Sequence, residues 1–296
     1  MICEHYPVRP GTIEWDKQRS TIGIQARDSQ AAIRAGNIRK DTGIEWIKSD
    51  VATLNENGYQ ILDPILSPDK ISKMIEYFST KSMTNFYGRH ESFTLENRPN
   101  HVKMARTDTK TNILCPFVID LMTSDSIISL VSEYLTAPAT LNCIFPLWSF
   151  KEETPNPINM QLFHRDADDY KFVKLFILLT DTGDGNGEQV YIKGSHKNED
   201  LPKEMYNITR YPDAIVDNLF TKQEHIKIFG NAGKCWLADT HGIHKGTVPT
   251  KSNRLLLQLQ YTLDPTPIFN YRPFRYSKWE EQSDLVKYST RMYLRG

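Results

Sequence analysis

The stretch FVKLFILLTDTGDGNGEQVYIKG, residues 172–194, decides how the second half of this chain is read. Two short apolar runs flank a segment rich in Gly, Asp and Asn. Runs of this length, bounded by turn residues, are strands. Asn186-Gly187 is a strong two-residue hairpin signal, so the two runs are expected to pair across it. Outward from there the pattern repeats. ATLNCIFPLWSF, INMQLFH, HIKIFG, KCWLAD and RLLLQLQYT are further short runs of branched and aromatic residues, all after residue 139. Seven or eight such strands predict a sandwich or jelly roll.

The first half differs. EWIKSDVATLNENGYQIL predicts a helix, a turn at Asn57-Gly58 and a strand. LSPDKISKMIEYFST predicts a helix with Ser67 as N-cap, Pro68 in its first turn, and Ile71, Met74, Ile75 and Phe78 on one face. Residues 94–110 read as a polar loop, and PFVIDLMTSDSIISLVSEYL as helix with a break near Ser124-Asp125. The expected organisation is therefore an N-terminal extension over 1–44 and one domain over 45–264. Within that domain, helical support spans 64–136 and the jelly-roll core spans 139–264, and a segment over 265–296 packs on it. Residues 195–225 read as a lid or rim.

Composition narrows the function classes. Lys+Arg and Asp+Glu both number 36 in 296 residues, so no global basic field recruits nucleic acid or anionic lipid. No apolar run approaches the length of a membrane span, and the polar start does not read as a secretory leader; the expected location is the cytoplasm. Cys3, Cys115, Cys143 and Cys235 never form C-x-x-C and read as reduced thiols. The expected partner is a small molecule.

Chemistry concentrates in two places. In QLFHRDADDY, His164 and Asp166 are two apart at a strand end, and such side chains share a face. A second histidine from a distant strand would complete a two-histidine, one-carboxylate facial triad, the donor set of non-haem Fe(II) oxygenases. Other readings fail. A kinase catalytic loop needs Asn where Lys171 stands, and a calcium loop needs Gly where Gln189 stands. The second place is LADTHGIHKGTVPTKSNRLL, 237–256. It offers His241 and His244, with Arg254 ten residues after the latter at the start of an apolar run. A guanidinium there suits a carboxylate, held in bidentate fashion. His241 and His244 have opposite strand parity, so a regular strand turns only one of them to a metal.

Four motifs in order carry a resemblance. LNENGYQILDPILSPDKISKMI, FHRD, KLFILLTDTGDGNGEQVYIKGSH and DTHGIHKGTVPTKSNRLLLQLQY together resemble the phytanoyl-CoA dioxygenase family of Fe(II)/2-oxoglutarate oxygenases, over roughly residues 52–263. The resemblance implies a double-stranded β-helix, the cupin-like jelly-roll barrel, flanked by α-helices. It implies Fe(II) on His164, Asp166 and His244, with 2-oxoglutarate and O2 as co-substrates and Arg254 on the distal carboxylate. His244 is preferred over His241 because Arg254 would lie unusually far from the latter. Gly246 stands where relatives carry a serine, so one hydrogen bond to 2-oxoglutarate is expected either to be missing or to come from Thr247. Gln161 and Lys174 are further candidates for that ligand, and Tyr170, Trp148 and Asn142 for the substrate pocket. His196 reads as structural, His225 as a surface residue, and Asp239 as a turn or hydrogen-bonding residue. The implied activity is hydroxylation of an unactivated C–H with release of succinate and CO2. Desaturation, cyclisation and epimerisation use the same ligands. The alternative of another class is a cupin-like protein that binds a metal or ligand without oxygen chemistry.

Overall fold

The computed structural model describes residues 45–87, 91–197, 201–202, 205, 210–266, 269 and 271–296. The expected extension over 1–44 and Cys3 lie outside them. The first half is mainly helical: α1 (Glu45–Asn57), β1 (Tyr59–Leu62), α2 (Pro68–Ser79), β2 (Met83–Asn85), β3 (Ser92–Phe93), β4 (Met104–Arg106), α3 (Thr109–Ile113), α4 (Val118–Met122) and α5 (Asp125–Leu135). Then come β5 (Thr140–Ser149), β6 (Phe163–His164), β7 (Phe172–Leu178), β8 (Gln189–Ile192), β9 (Arg210–Tyr211), α6 (Asp213–Leu219), β10 (His225–Ile228), β11 (Cys235–Ala238), β12 (His244–Gly246) and β13 (Arg254–Thr262). The chain closes with β14 (Phe274–Arg275), α7 (Asp284–Thr290) and β15 (Leu294–Arg295).

Helix starts follow local chemistry. Ser124 caps α5 by accepting from the Ile127 amide, and Ser283 caps α7 by accepting from Val286. Ser67 precedes α2 but makes no side-chain cap bond; Pro68 at the first position sets that start instead. The expected loop over 94–110 contains β4, and Asp108 caps the short α3 by accepting from the Thr111 amide.

Two sheets face each other in a jelly roll. The larger runs β1-β11-β7-β13-β5-β4-β2-β3 and the smaller β10-β8-β12-β6-β9. The hairpin expected at Asn186-Gly187 does not form: β7 lies in the large sheet, while β8 pairs with β10 and β12 in the small one. The ten residues between them cross from sheet to sheet, and Gly185 and Gly187 adopt φ of 71° and 82° to do so.

Strand alternation sorts the large sheet into two faces. On β13, Leu255, Leu257, Leu259 and Tyr261 join the main apolar core with Val173, Leu175 and Ile177 of β7. Helix residues Leu54, Met74, Phe78, Leu121 and Val131 pack against them in the same core. Arg254, Leu256, Gln258 and Gln260 point the other way, between the sheets. There Phe176, Tyr191 and Trp236 form a second cluster, and the Trp236 indole donates to Gln189 Oε1 at 2.9 Å across the gap. Leu257 is fully buried on the helix side. Leu257→Ala is expected to lower stability by about 2–5 kcal/mol, read by denaturant unfolding, while leaving the inner face intact.

Candidate metal centre

β12 lies between β6 and β8, and its register sets His244 directly opposite His164. Both side chains point between the sheets, with ring centroids 4.2 Å apart. Asp166 follows β6; its amide donates to Thr240 O at 2.9 Å, which holds this segment against the turn before β12. Its Oδ1 lies 3.7 Å from His164 Nε2 and its Oδ2 lies 3.7 Å from His244 Nε2. Among the described residues, this is the group of three metal-ligating side chains whose donor atoms converge, all within 4.8 Å of one another.

The imidazole tautomers follow from the backbone. His164 Nδ1 sits 2.8 Å from Leu162 O, and His244 Nδ1 2.9 Å from Gly242 O. A carbonyl only accepts, so each Nδ1 carries the proton and each Nε2 turns a lone pair toward Asp166. Burial, then the neighbouring His244, pushes the His164 imidazole down to about 3. Burial also lowers His244, against the opposing pull of Asp166. Burial would raise Asp166, but Lys174 and then the two histidines outweigh it and hold the carboxyl well below its ordinary range. Two neutral imidazoles and one carboxylate are the protonation states a divalent metal needs. The donor set fits such an ion, with a face left for other ligands.

His241 stands elsewhere. Its Nδ1 donates to the Asp166 carbonyl at 3.1 Å, its amide donates to Asp239 Oδ1 at 3.0 Å, and its carbonyl accepts from Arg165 Nε at 2.7 Å. It buttresses the backbone of Asp166 from behind. Asp239 also accepts from the Tyr134 hydroxyl at 2.7 Å. His196 Nε2 meets Asn55 O at 3.1 Å, away from the triad. His225 is half-buried rather than a free surface residue, and pairs with Asp217 at 3.2 Å.

An inner cavity runs from the triad to Arg254, lined by Leu147, Gln161, Phe176, Leu256, Gln258 and Gly246. Arg254 is buried, donates to Gly187 O, and has Ser149 Oγ 3.2 Å from Nη2. Burial brings it down to about 10, against the pull of Glu188, so it stays cationic at neutral pH. Gly246 has a steric role: a Cβ there would lie 3.2 Å from both terminal nitrogens of Arg254. Gln161 accepts from the Ile158 amide at 3.0 Å through Oε1, while its buried Nε2 has no partner.

The remaining expected residues fare differently. Thr247 turns away from the cavity, because Gly246 is the residue that shares the face of His244. Its hydroxyl donates to Glu188 Oε2 at 2.7 Å and accepts from the Gly187 amide at 3.1 Å. Lys174 reaches Asp166 Oδ2 at 2.6 Å and Asp168 Oδ2 at 3.7 Å, so its ammonium is a counter-ion beside the triad. Trp148 lies on the helix side of β5, stacked on Phe150 at 6.3 Å. Asn142 falls at a register shift between β5 and β13, where its Oδ1 accepts from Thr266 at 3.1 Å and Tyr271 at 2.5 Å. Tyr170 does not line the inner cavity; bends after Asp166 end the alternation that would have aimed it inward. Ser149, Gly187 and Glu188 around Arg254 carry no local sequence signal, since they meet only through tertiary pairing.

No family model matches the chain, and no curated protein matches it in sequence. Solved structures do. The epimerase SnoN from nogalamycin biosynthesis, in complex with Fe3+, alpha ketoglutarate and nogalamycin RO, superposes with a TM-score of 0.53 at 15% identity, over 78% of this chain and 93% of its own. EctD from S. alaskensis, with bound Fe, gives 0.53 at 14%, over 75% and 78%. HygX from Streptomyces hygroscopicus, with nickel, 2-oxoglutarate and hygromycin B, gives 0.50 at 18%, over 77% and 90%. What the chain shares with these enzymes is the fold, a helix-flanked double-stranded β-helix.

Proposed function

We propose that the protein is a non-haem Fe(II)- and 2-oxoglutarate-dependent dioxygenase that hydroxylates a small molecule, releasing succinate and CO2. One observation carries the reading. His164, Asp166 and His244 converge with both Nε2 lone pairs free, and a buried Arg254 stands across a shared cavity. A simple metal-binding cupin has no use for that arginine. When bound, the iron supplies the open coordination positions at which 2-oxoglutarate and dioxygen are turned into succinate, CO2 and an oxidant for a C–H bond.

The chain's own residues do the rest. Arg254 takes the distal carboxylate of 2-oxoglutarate, with Ser149 beside it. The unpartnered Gln161 amide offers that ligand a further donor. Leu147, Phe176 and Leu256 keep water from the cavity between. Lys174 balances Asp166 and, with Asp168, marks the side from which substrate approaches. The carboxylate at 166 occupies the position that related halogenases leave empty for chloride, which favours hydroxylation. The phytanoyl-CoA dioxygenase resemblance of the motifs supports the same class. SnoN, an epimerase of this fold, keeps epimerisation as a second reading, with desaturation and cyclisation beside it.

Incubation with Fe(II), ascorbate and 2-oxoglutarate in air is expected to yield succinate even without substrate, and substrate is expected to gain one oxygen by mass. A metal-loaded protein that neither binds 2-oxoglutarate nor forms succinate sinks the reading in favour of a cupin-like binder. Arg254→Gln is expected to raise KM for 2-oxoglutarate by about 10- to 100-fold, the worth of a hydrogen-bonded charge pair. Steady-state succinate release checks it.

A further inference from the structure

A second cavity, of about 700 Å³, opens beside the triad, with Asp166 and Lys174 in its wall. Its volume suits a small organic molecule. On the sheet side, Thr84, Arg106, Leu147, Leu256 and Leu178 form one cross-strand row, since each is the register partner of the next. Arg106 is the one charged member. It shares the face of Met104, which lines the inner cavity, so it stands on the inner side of the sheet. It remains exposed because the large cavity opens there.

The other charged groups on this cavity have partners. Lys174 is held by Asp166 at 2.6 Å, with Asp168 at 3.7 Å. Asp108 is committed to capping α3 and to the Thr111 hydroxyl at 2.6 Å. Among the described residues, none offers Arg106 a carboxylate within ion-pair distance or a hydrogen-bond acceptor. Its guanidinium carbon lies 5.1 Å from the Phe86 ring centroid, and Phe86 lies 6.1 Å from Phe145. A guanidinium over an aromatic face keeps its N–H fork for an oxyanion, while the rings offer apolar surface beside it.

We propose that the cavity takes an amphipathic organic acid. Arg106 binds its carboxylate, Phe86 and Phe145 hold its apolar body, and the remainder of the molecule is turned toward Asp166. The proposal rests on the oxygenase reading for the chemistry beside Asp166, and on Arg106 for the choice of substrate class.

The test is a binding comparison on the full chain loaded with Zn(II), a diamagnetic stand-in, and saturating N-oxalylglycine, which keeps acids out of the Arg254 pocket. The probes share one naphthalene ring: 2-naphthylacetate, 2-naphthylacetamide and 2-naphthylethylamine, followed by ligand-observed NMR. The acid is expected to bind at least about 10-fold more tightly than the amide, as a charge-assisted hydrogen bond implies, with the amine weakest. Arg106→Gln is expected to bring the acid down to the level of the amide. Arg106→Lys keeps part of the preference and serves if the first variant does not fold, and the exposed Arg275→Gln leaves binding unchanged. Equal binding of acid and amide, preference for the amine, no acid binding below about 1 mM, or an acid preference that survives Arg106→Gln overturns the proposal. Succinate formation separates the two claims. Succinate without an acid preference sinks this inference alone. An Arg106-dependent acid preference with neither 2-oxoglutarate binding nor succinate sinks the oxygenase reading alone.

Discussion

His244→Ala is expected to weaken Fe(II) or Co(II) binding by more than about 100-fold and to abolish 2-oxoglutarate turnover, whereas His241→Ala keeps both within about 10-fold. The two histidines are three residues apart and both buried, so burial does not distinguish them. Hydrogen bonding does. His244 spends Nδ1 on the Gly242 carbonyl and turns Nε2 to Asp166, while His241 spends Nδ1 on the backbone carbonyl of Asp166 itself. Losing the first removes a donor from the triad; losing the second loosens the segment that carries one. Competition with a chromogenic chelator reads the affinity, and succinate release reads the turnover. A dead His241→Ala beside an active His244→Ala would reverse the assignment.

Gly242→Ala is expected to cost nearly as much, although residue 242 touches no metal. A Cβ at that position would lie 1.9 Å from the Tyr191 hydroxyl oxygen and 2.5 Å from its Cζ. Tyr191 has little room to retreat. It is fully buried, its hydroxyl donates to the Asp239 carbonyl at 2.8 Å, and Gly58, in the turn between α1 and β1, approaches the same oxygen. Gly242 is absent from the glycines with positive φ, so the close approach, not the backbone, demands glycine there. The added methyl must therefore displace either the ring, whose centroid lies 6.5 Å from that of His244, or the carbonyl that orients His244. Overpacking of this kind costs about 1–3 kcal/mol of stability, and metal affinity is expected to fall by about 100-fold. Tyr191→Leu in the same chain removes the obstructing atoms, so the double variant is expected to bind metal better than Gly242→Ala alone. Calorimetric titration with Co(II) across the four proteins measures the coupling. Wild-type affinity in Gly242→Ala would show that the turn yields without moving His244.

How far the sequence carries can be seen strand by strand. The apolar runs RLLLQLQYT and FVKLFIL mark β13 and β7 as strands, but only the alternation of Gln258 and Gln260 with Leu257, Leu259 and Tyr261 separates two faces, since FVKLFIL is almost wholly apolar. The ordered motifs around residues 164 and 244 are enough to single out the residues that the structure brings together. Asn186-Gly187 misleads, because a turn signal reports local backbone preference whereas strand partners are chosen by the packing of two sheets. Asn142 and Trp148 mislead for a related reason. Counting inward along β5 from Ser149 selects Leu147, Phe145 and Cys143, and a shift of register at Asn142 then breaks the count. Asp108 before TKTNI was a legible cap signal for α3 inside a stretch read as loop. The counter-ion role of Lys174, by contrast, exists only once strand β7 is laid beside the triad.

The two-faced character of β13 has a consequence for how this protein tolerates change. Leu255, Leu257, Leu259 and Tyr261 answer to folding, and Arg254, Leu256, Gln258 and Gln260 to whatever occupies the interior. A saturation library of this strand, read once for cellular abundance and once for turnover per molecule, is expected to give two traces with the same two-residue beat and opposite phase. Evolution can thus redesign the chemistry of the strand at every second letter while leaving its architecture untouched.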